Sequence, residues 1–173
     1  TAYKLCPLYK DDLEFGAGPP SISMLSRVPC APTLGDSEVE VSCVIMDNSI
    51  IQEALIHYSV DGGDYLSASM ISNGDSTFTG VVPISGESTV YYYITATDDG
   101  ADQAEPKTSL YPYDTDHDQL GFHVTDDLTV ETVQETPWPS GNSLYEGCTV
   151  TLTGVVTADT AQYGSSYSSY ALQ

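Results

Sequence analysis

Asp114, Thr115, Asp116, His117 and Asp118 place three carboxylates on alternate residues of one polar stretch. That spacing lets a loop turn oxygen ligands toward a hard cation, so Asp114, Asp116 and Asp118 are the candidate metal ligands and Ca²⁺ the one candidate cofactor. An EF-hand loop counted from Asp114 would also need Gly at position 6 and Glu at position 12, but Gln119 and Thr125 stand there. A solvated acidic loop is the competing interpretation. A second acid-rich stretch, Asp98-Asp99-Gly100-Ala101-Asp102, reads as turn chemistry.

Other chemistry finds little support. His57, His117 and His123 are scattered, with neither an HExxH nor a Cys-x-x-Cys spacing that would point to zinc. His57 and His123 occupy the more polar positions of alternating stretches and are expected at the surface. Serines are abundant, yet no Gly-x-Ser-x-Gly elbow occurs, and no catalytic site is expected. Trp138, Tyr163, Tyr167 and Tyr170 could stack on sugars or bases. Residues 127–173 hold five acids and no Lys or Arg, which repels phosphates, so packing is the expected role of these rings.

Four cysteines, Cys6, Cys30, Cys43 and Cys148, allow three complete pairings. Cys30 and Cys43 flank one turn, which makes a local bridge reasonable. Cys6 and Cys148 lie in opposite terminal pieces and would meet only where two copies join.

The charge sets the surroundings. Four Lys and Arg stand against 25 Asp and Glu among 173 residues, a formal charge of −21. Such a surface repels nucleic acid and anionic membranes and favours solubility and cations. No apolar run approaches the roughly 20 residues of a spanning helix, and no basic, then apolar leader opens the chain. Thr1 in place of Met suggests a processed product or a piece of something longer.

The elements that would position these residues are strands. Val39, Val41, Cys43 and Ile45 alternate with Glu38, Glu40, Ser42 and Val44. The same period recurs at Ala54, Ile56, Tyr58 and Val60, at Val90, Tyr92, Ile94 and Ala96, and at Leu120, Phe122 and Val124. Asp61-Gly62-Gly63, Asn73-Gly74-Asp75 and Ser85-Gly86-Glu87 supply turns between them, predicting a meander of short antiparallel strands. About seven strands, with Val41, Cys43, Ile56, Tyr58, Tyr92, Ile94 and Phe122 in the core, suit a β-sandwich over residues 21–126. Residues 1–20 and 127–173 are shorter β pieces. In the second, Leu128 to Val133 is expected to be one strand, Cys148 to Val156 a long alternating strand, and SYALQ a further one.

YSVDGG, a Met-containing strand, a GD turn, FTGVVP and VYYYITATDDG together resemble the immunoglobulin-like (fibronectin type III-like) modules of large secreted bacterial proteins, over roughly Ser21 to Val124. The resemblance implies an extracellular all-β sandwich and no chemistry. YKLCPLYKDDLEF is similar to the closing strand of an OB-like barrel, and LYEGCTVTLTGVVTA with SSYALQ to the opening strands of one. These pieces imply a split OB-like barrel completed between neighbouring chains. Tyr3, Leu5, Leu8, Leu13 and Phe15 would form the donated face, and Val150, Leu152 and Val155 the receiving one. The function that follows is a subunit of a bacterial surface fibre whose partner is itself, polymerised head to tail by strand complementation. A non-catalytic binding or spacer module of a larger secreted enzyme or adhesin is the alternative. Asp75-Ser76-Thr77 and Asp159-Thr160-Ala161 resemble the O-glycosylation pattern of some Bacteroidota, making glycans a second candidate partner.

Overall fold

In a computed structural model the described residues are 18–101, 105–152, 156–158 and 171–172. Nine strands form two antiparallel sheets: β1 (Ser21–Val28), β2 (Glu38–Met46), β3 (Ile51–Val60), β4 (Leu66–Ser69), β5 (Ile71–Ser72), β6 (Thr77–Pro83), β7 (Ser88–Asp98), β8 (Thr108–Tyr111) and β9 (Leu120–Val124). The first sheet runs β1-β2-β6-β5 and the second β4-β3-β7-β8, with β9 also on β7. The apolar residues of both sheets meet in one core. This is a β-sandwich.

Alternation explains which sheet faces turn inward. On β2, Val39, Val41, Cys43 and Ile45 are buried while Glu38 and Glu40 face water. Opposite them lie Ala54, Ile56 and Tyr58 of β3, Val90, Tyr92, Ile94 and Ala96 of β7, and Phe122 and Val124 of β9. All seven expected core residues are therefore buried. Gly80 of β6 lets the sheets approach: a Cβ there would come 2.7 Å from Ile56 Cδ1 and 3.0 Å from Met70 Cγ.

The chain path departs from a simple meander. After the β3–β4 hairpin, closed through Asp61 and Gly62 at positive φ, the strand crosses from one sheet to the other at Met70. Met70 N–H still bonds the Ala54 carbonyl at 2.8 Å, whereas Ile71 and Ser72 already pair with Thr79 and Phe78 of the other sheet. Similarly, β8 and β9 share one edge of β7, covering Ile94–Thr97 and Ser88–Tyr92 in turn. Hydrophobic alternation marks strands but not which sheet a short strand joins. That choice comes from the twist and closure of the sandwich.

The piece after Val124 differs further from expectation. Leu128 to Val133 is not a strand: α1 (Val130–Gln134) forms there, with Thr129 as N-cap accepting from Thr132 N–H at 3.1 Å. The β-branched alternation favours a strand, but the hydroxyl satisfies a free N–H of a first helical turn, and no described strand pairs with this stretch. Cys148 to Leu152 is irregular, residues 153–155 of the expected strand lie outside the described residues, and the next described strand is β10 (Val156–Ala158). It pairs with β11 (Ala171–Leu172), at the position of the SYALQ strand, as a separate two-stranded sheet.

Ile94, fully buried at the centre of β7, offers the direct check of this core. Ile94→Ala is expected to destabilise the chain by about 2 to 5 kcal/mol in chemical denaturation. A change near zero would remove β7 from the centre of the fold.

Candidate functional site

The polar constellation that organises this molecule centres on Arg27, one of its four Lys and Arg residues. Simple alternation along β1 would put Ile22, Met24, Ser26 and Val28 on one face. A bulge intervenes instead: Met24 has φ 52°, the pairing with β2 shifts between Ser23 and Ser26, and Met24 is 80% exposed. Beyond the bulge, Leu25 and Arg27 take the half-buried positions and Ser26 and Val28 turn out. The extra residue thus aims the guanidinium toward the protein.

There Arg27 donates to three backbone carbonyls from three parts of the chain. Nε reaches Cys30 at 2.9 Å, Nη2 reaches Leu144 at 2.7 Å, and Nη1 reaches Gly121 of β9. Its guanidinium also lies 5.4 Å from the Phe122 ring centroid and 5.5 Å from that of Tyr145. Gly121 permits the approach, because a Cβ there would stand 2.7 Å from the Val90 carbonyl oxygen and 3.1 Å from Leu144 Cδ2. A planar fork of donors suits several fixed carbonyls in a way a single ammonium does not.

Beside it a disulfide joins Cys30 to Cys148, 118 residues apart in sequence. This corrects the expected Cys30–Cys43 bridge. Val28 pairs with Glu40, and Cys43 lies three residues along β2 from Glu40 in the direction away from Cys30, more than roughly 10 Å of strand and beyond disulfide reach. Cys43 points into the core, a free thiol that burial pushes up to about 11. Cys6 lies outside the described residues.

Residues 137–152 consequently form a strap over one end of the sandwich. Leu144 and Tyr145 are buried beneath it. Tyr145 hydroxyl accepts from His123 N–H at 3.3 Å, and its ring stacks on the His123 imidazole. Earlier in the strap, Trp138 packs edge-on against Tyr91, while Ser140 and Asn142 donate to Asp118 at 2.9 and 3.2 Å. A cavity of about 260 Å³ remains between strap and sandwich, lined by Leu25, Arg27, Tyr92, Leu120, Leu144 and Cys148 among others.

The other expected site residues fall as follows. Asp114 accepts from His117 and from the Asp116 N–H, while Asp118 is turned to the strap, so Asp114 and Asp118 have separate partners. Among the described residues, no group of three or more His, Cys, Asp or Glu side chains converges on a metal position. Val150 and Leu152 are half-buried at the end of the strap. Tyr3, Leu5, Leu8, Leu13, Phe15, Val155, Tyr163, Tyr167 and Tyr170 lie outside the described residues. His57 and His123 are half-buried rather than at the surface: His57 stacks on Tyr93, and the His123 side chain is 17% exposed with Nε2 3.7 Å from Glu135. Arg27 was not among the expected site residues, and Leu144 and Tyr145 were expected only as part of an opening barrel strand, although a lone Arg between Cys30 and an alternating apolar stretch was a usable signal.

In its fold the site thus belongs to a β-sandwich with a covalently tied strap. No protein-family model matches the chain, and no curated protein does.

Two outcomes check this site. Arg27→Lys is expected to cost about 1 to 3 kcal/mol in chemical denaturation, since one ammonium leaves carbonyl acceptors unmet; an unchanged midpoint would make the fork irrelevant. The second concerns pH. Burial lowers the pKa of His123, an effect Glu135 opposes and Arg27 reinforces. The unfolded chain therefore takes up this proton first, and the stability associated with His123 falls as pH drops through about 6.5. In His123→Gln the decline in melting temperature from about pH 7.5 to about pH 5.5 should be shallower than in the parent, and equal slopes would exclude His123 as its source.

Proposed function

We propose that this chain acts as a non-catalytic structural module of an extracellular protein, an immunoglobulin-like sandwich that holds the next stretch of chain at a fixed angle. The observation that carries this reading is the joint itself. Arg27 and the Cys30–Cys148 bridge tie residues 137–152 to one end of the sandwich, just before β10 begins. A disulfide also fits an oxidising compartment, and a charge of −21 fits a role without phosphate-bearing partners.

A second reading is favoured by the β10–β11 pair. Three and two residues of these strands are described, and a two-stranded sheet is marginal alone and invites further strands. Residues 1–15 of a neighbouring copy, with Tyr3, Leu5, Leu8, Leu13 and Phe15 on the donated face, would complete it as a split OB-like barrel and build a head-to-tail fibre. The module reading comes first because Cys148 is already paired within its own chain, which removes the crosslink expected at a junction between copies.

Light scattering coupled to size-exclusion chromatography separates them. A spacer module gives a monomer across a wide concentration range, with a single compact shape in small-angle X-ray scattering. A concentration-dependent polymer that disappears on deletion of residues 1–15 would install the fibre in its place.

A further inference from the structure

The strap is held unlike the sandwich on which it lies. Among the described residues, all seventeen of the buried apolar core cluster fall between Val39 and Val124, and none belongs to residues 137–152. The sandwich therefore has its own source of stability. The strap instead relies on a few polar contacts, the side chains Trp138, Leu144 and Tyr145, and the bridge from Cys148 to Cys30. Between it and the sandwich lies a half-open pocket of about 260 Å³ rather than continuous close packing. Both bridged residues are half-buried rather than enclosed.

We propose that Cys30–Cys148 is a thiol-sensitive latch, whose opening by a small-molecule thiol frees the strap and turns a fixed joint into a flexible tether. The inference rests on the reading of the strap as a joint. A thiolate attacks one sulfur of the bridge, the Cys30–Cys148 bond breaks, and the other cysteine leaves as a thiolate. A second thiolate then attacks the outer sulfur of the mixed disulfide, releasing the remaining cysteine and a small-molecule disulfide. Two thiols are oxidised and one protein disulfide is reduced. Cys43 does not divert the exchange, since it is 1% exposed inside the core and its thiol is held protonated by burial.

Opening removes the covalent tie but leaves Arg27 with its Cys30 and Gly121 carbonyls, both of which stay with the sandwich. The Leu144 carbonyl is the contact it gives up. Water can then enter where the cavity and the Leu144 and Tyr145 side chains were, which favours release over re-docking.

Hydrogen exchange read by mass spectrometry tests this on the whole chain, with and without dithiothreitol, thiol labelling reporting when the bridge is open. Opening should speed exchange in residues 137–152 at least tenfold, bring it to a rate far above that of β2, β3 and β7, which stay protected, and reverse on reoxidation. A Cys30→Ser, Cys148→Ser double variant should match the open form without any thiol. Strap protection that survives opening would overturn the latch while leaving the fixed joint intact. Exchange in β2, β3 and β7 rising to the rate of the strap itself would also overturn it, because the strap would then open only with the whole fold. A strap unprotected even with the bridge closed would instead remove the fixed-joint reading, and the latch with it.

Discussion

The arrangement of chain beyond the sandwich depends on one guanidinium that has backbone carbonyls, rather than carboxylates, as its partners. In a molecule with 25 acids, simple charge pairing would give a half-buried Arg a carboxylate partner. Arg27 instead satisfies Cys30, Gly121 and Leu144 carbonyls, which belong to the end of β1, to β9 and to the strap. Carbonyls of irregular chain have no ladder to satisfy them, and burying them unpaired is costly. A single rigid fork meets two such needs, at Cys30 and Leu144, together with the Gly121 carbonyl of β9. It also sets the angle between segments, because its donors lie in one plane.

The bridge and the Arg act on different states of the chain. The disulfide restricts the unfolded ensemble by closing a loop of more than a hundred residues, an effect worth about 4 to 5 kcal/mol in the chain-entropy account. Arg27 acts in the folded state, where its hydrogen bonds and ring contacts position the strap. Tyr145 lies between two nitrogenous groups, with the Arg27 guanidinium 5.5 Å from its centroid and the His123 ring stacked at 6.2 Å. A second positive charge at His123 would face Arg27 in that small space, although Glu135 stands on its other side. The proton affinity of His123 is therefore a property of the docked strap, not of β9 alone.

The close approaches that make this possible come from glycine. Gly80 brings the two sheets together over Ile56, and Gly121 brings Arg27 and Leu144 against β9. In both places a side chain would meet a neighbour at about contact-forbidden distance, so the packing of the core and the seat of the strap each rest on a missing Cβ.

Much of the sandwich was determined by the sequence itself, because a two-residue period leaves little choice about which side chains are buried. Val41, Cys43, Ile56, Tyr58, Tyr92, Ile94 and Phe122 could be placed in the core from alternation alone, and Asp61-Gly62-Gly63 marked its turn. The site was much less legible. A bulge at Met24 inverts the faces of β1, and nothing in the order Ser-Ile-Ser-Met-Leu-Ser-Arg announces it; it exists because pairing with β2 leaves one residue over. Pairing of Cys30 with distant Cys148 rather than nearby Cys43 was likewise a tertiary outcome, since proximity in sequence does not report which side of a sheet a cysteine faces or how far strand pairing has carried it. Local patterns specified which residues leave water, while the assembled sheets decided which distant groups meet, because those contacts depend on register and closure rather than on neighbours in the chain.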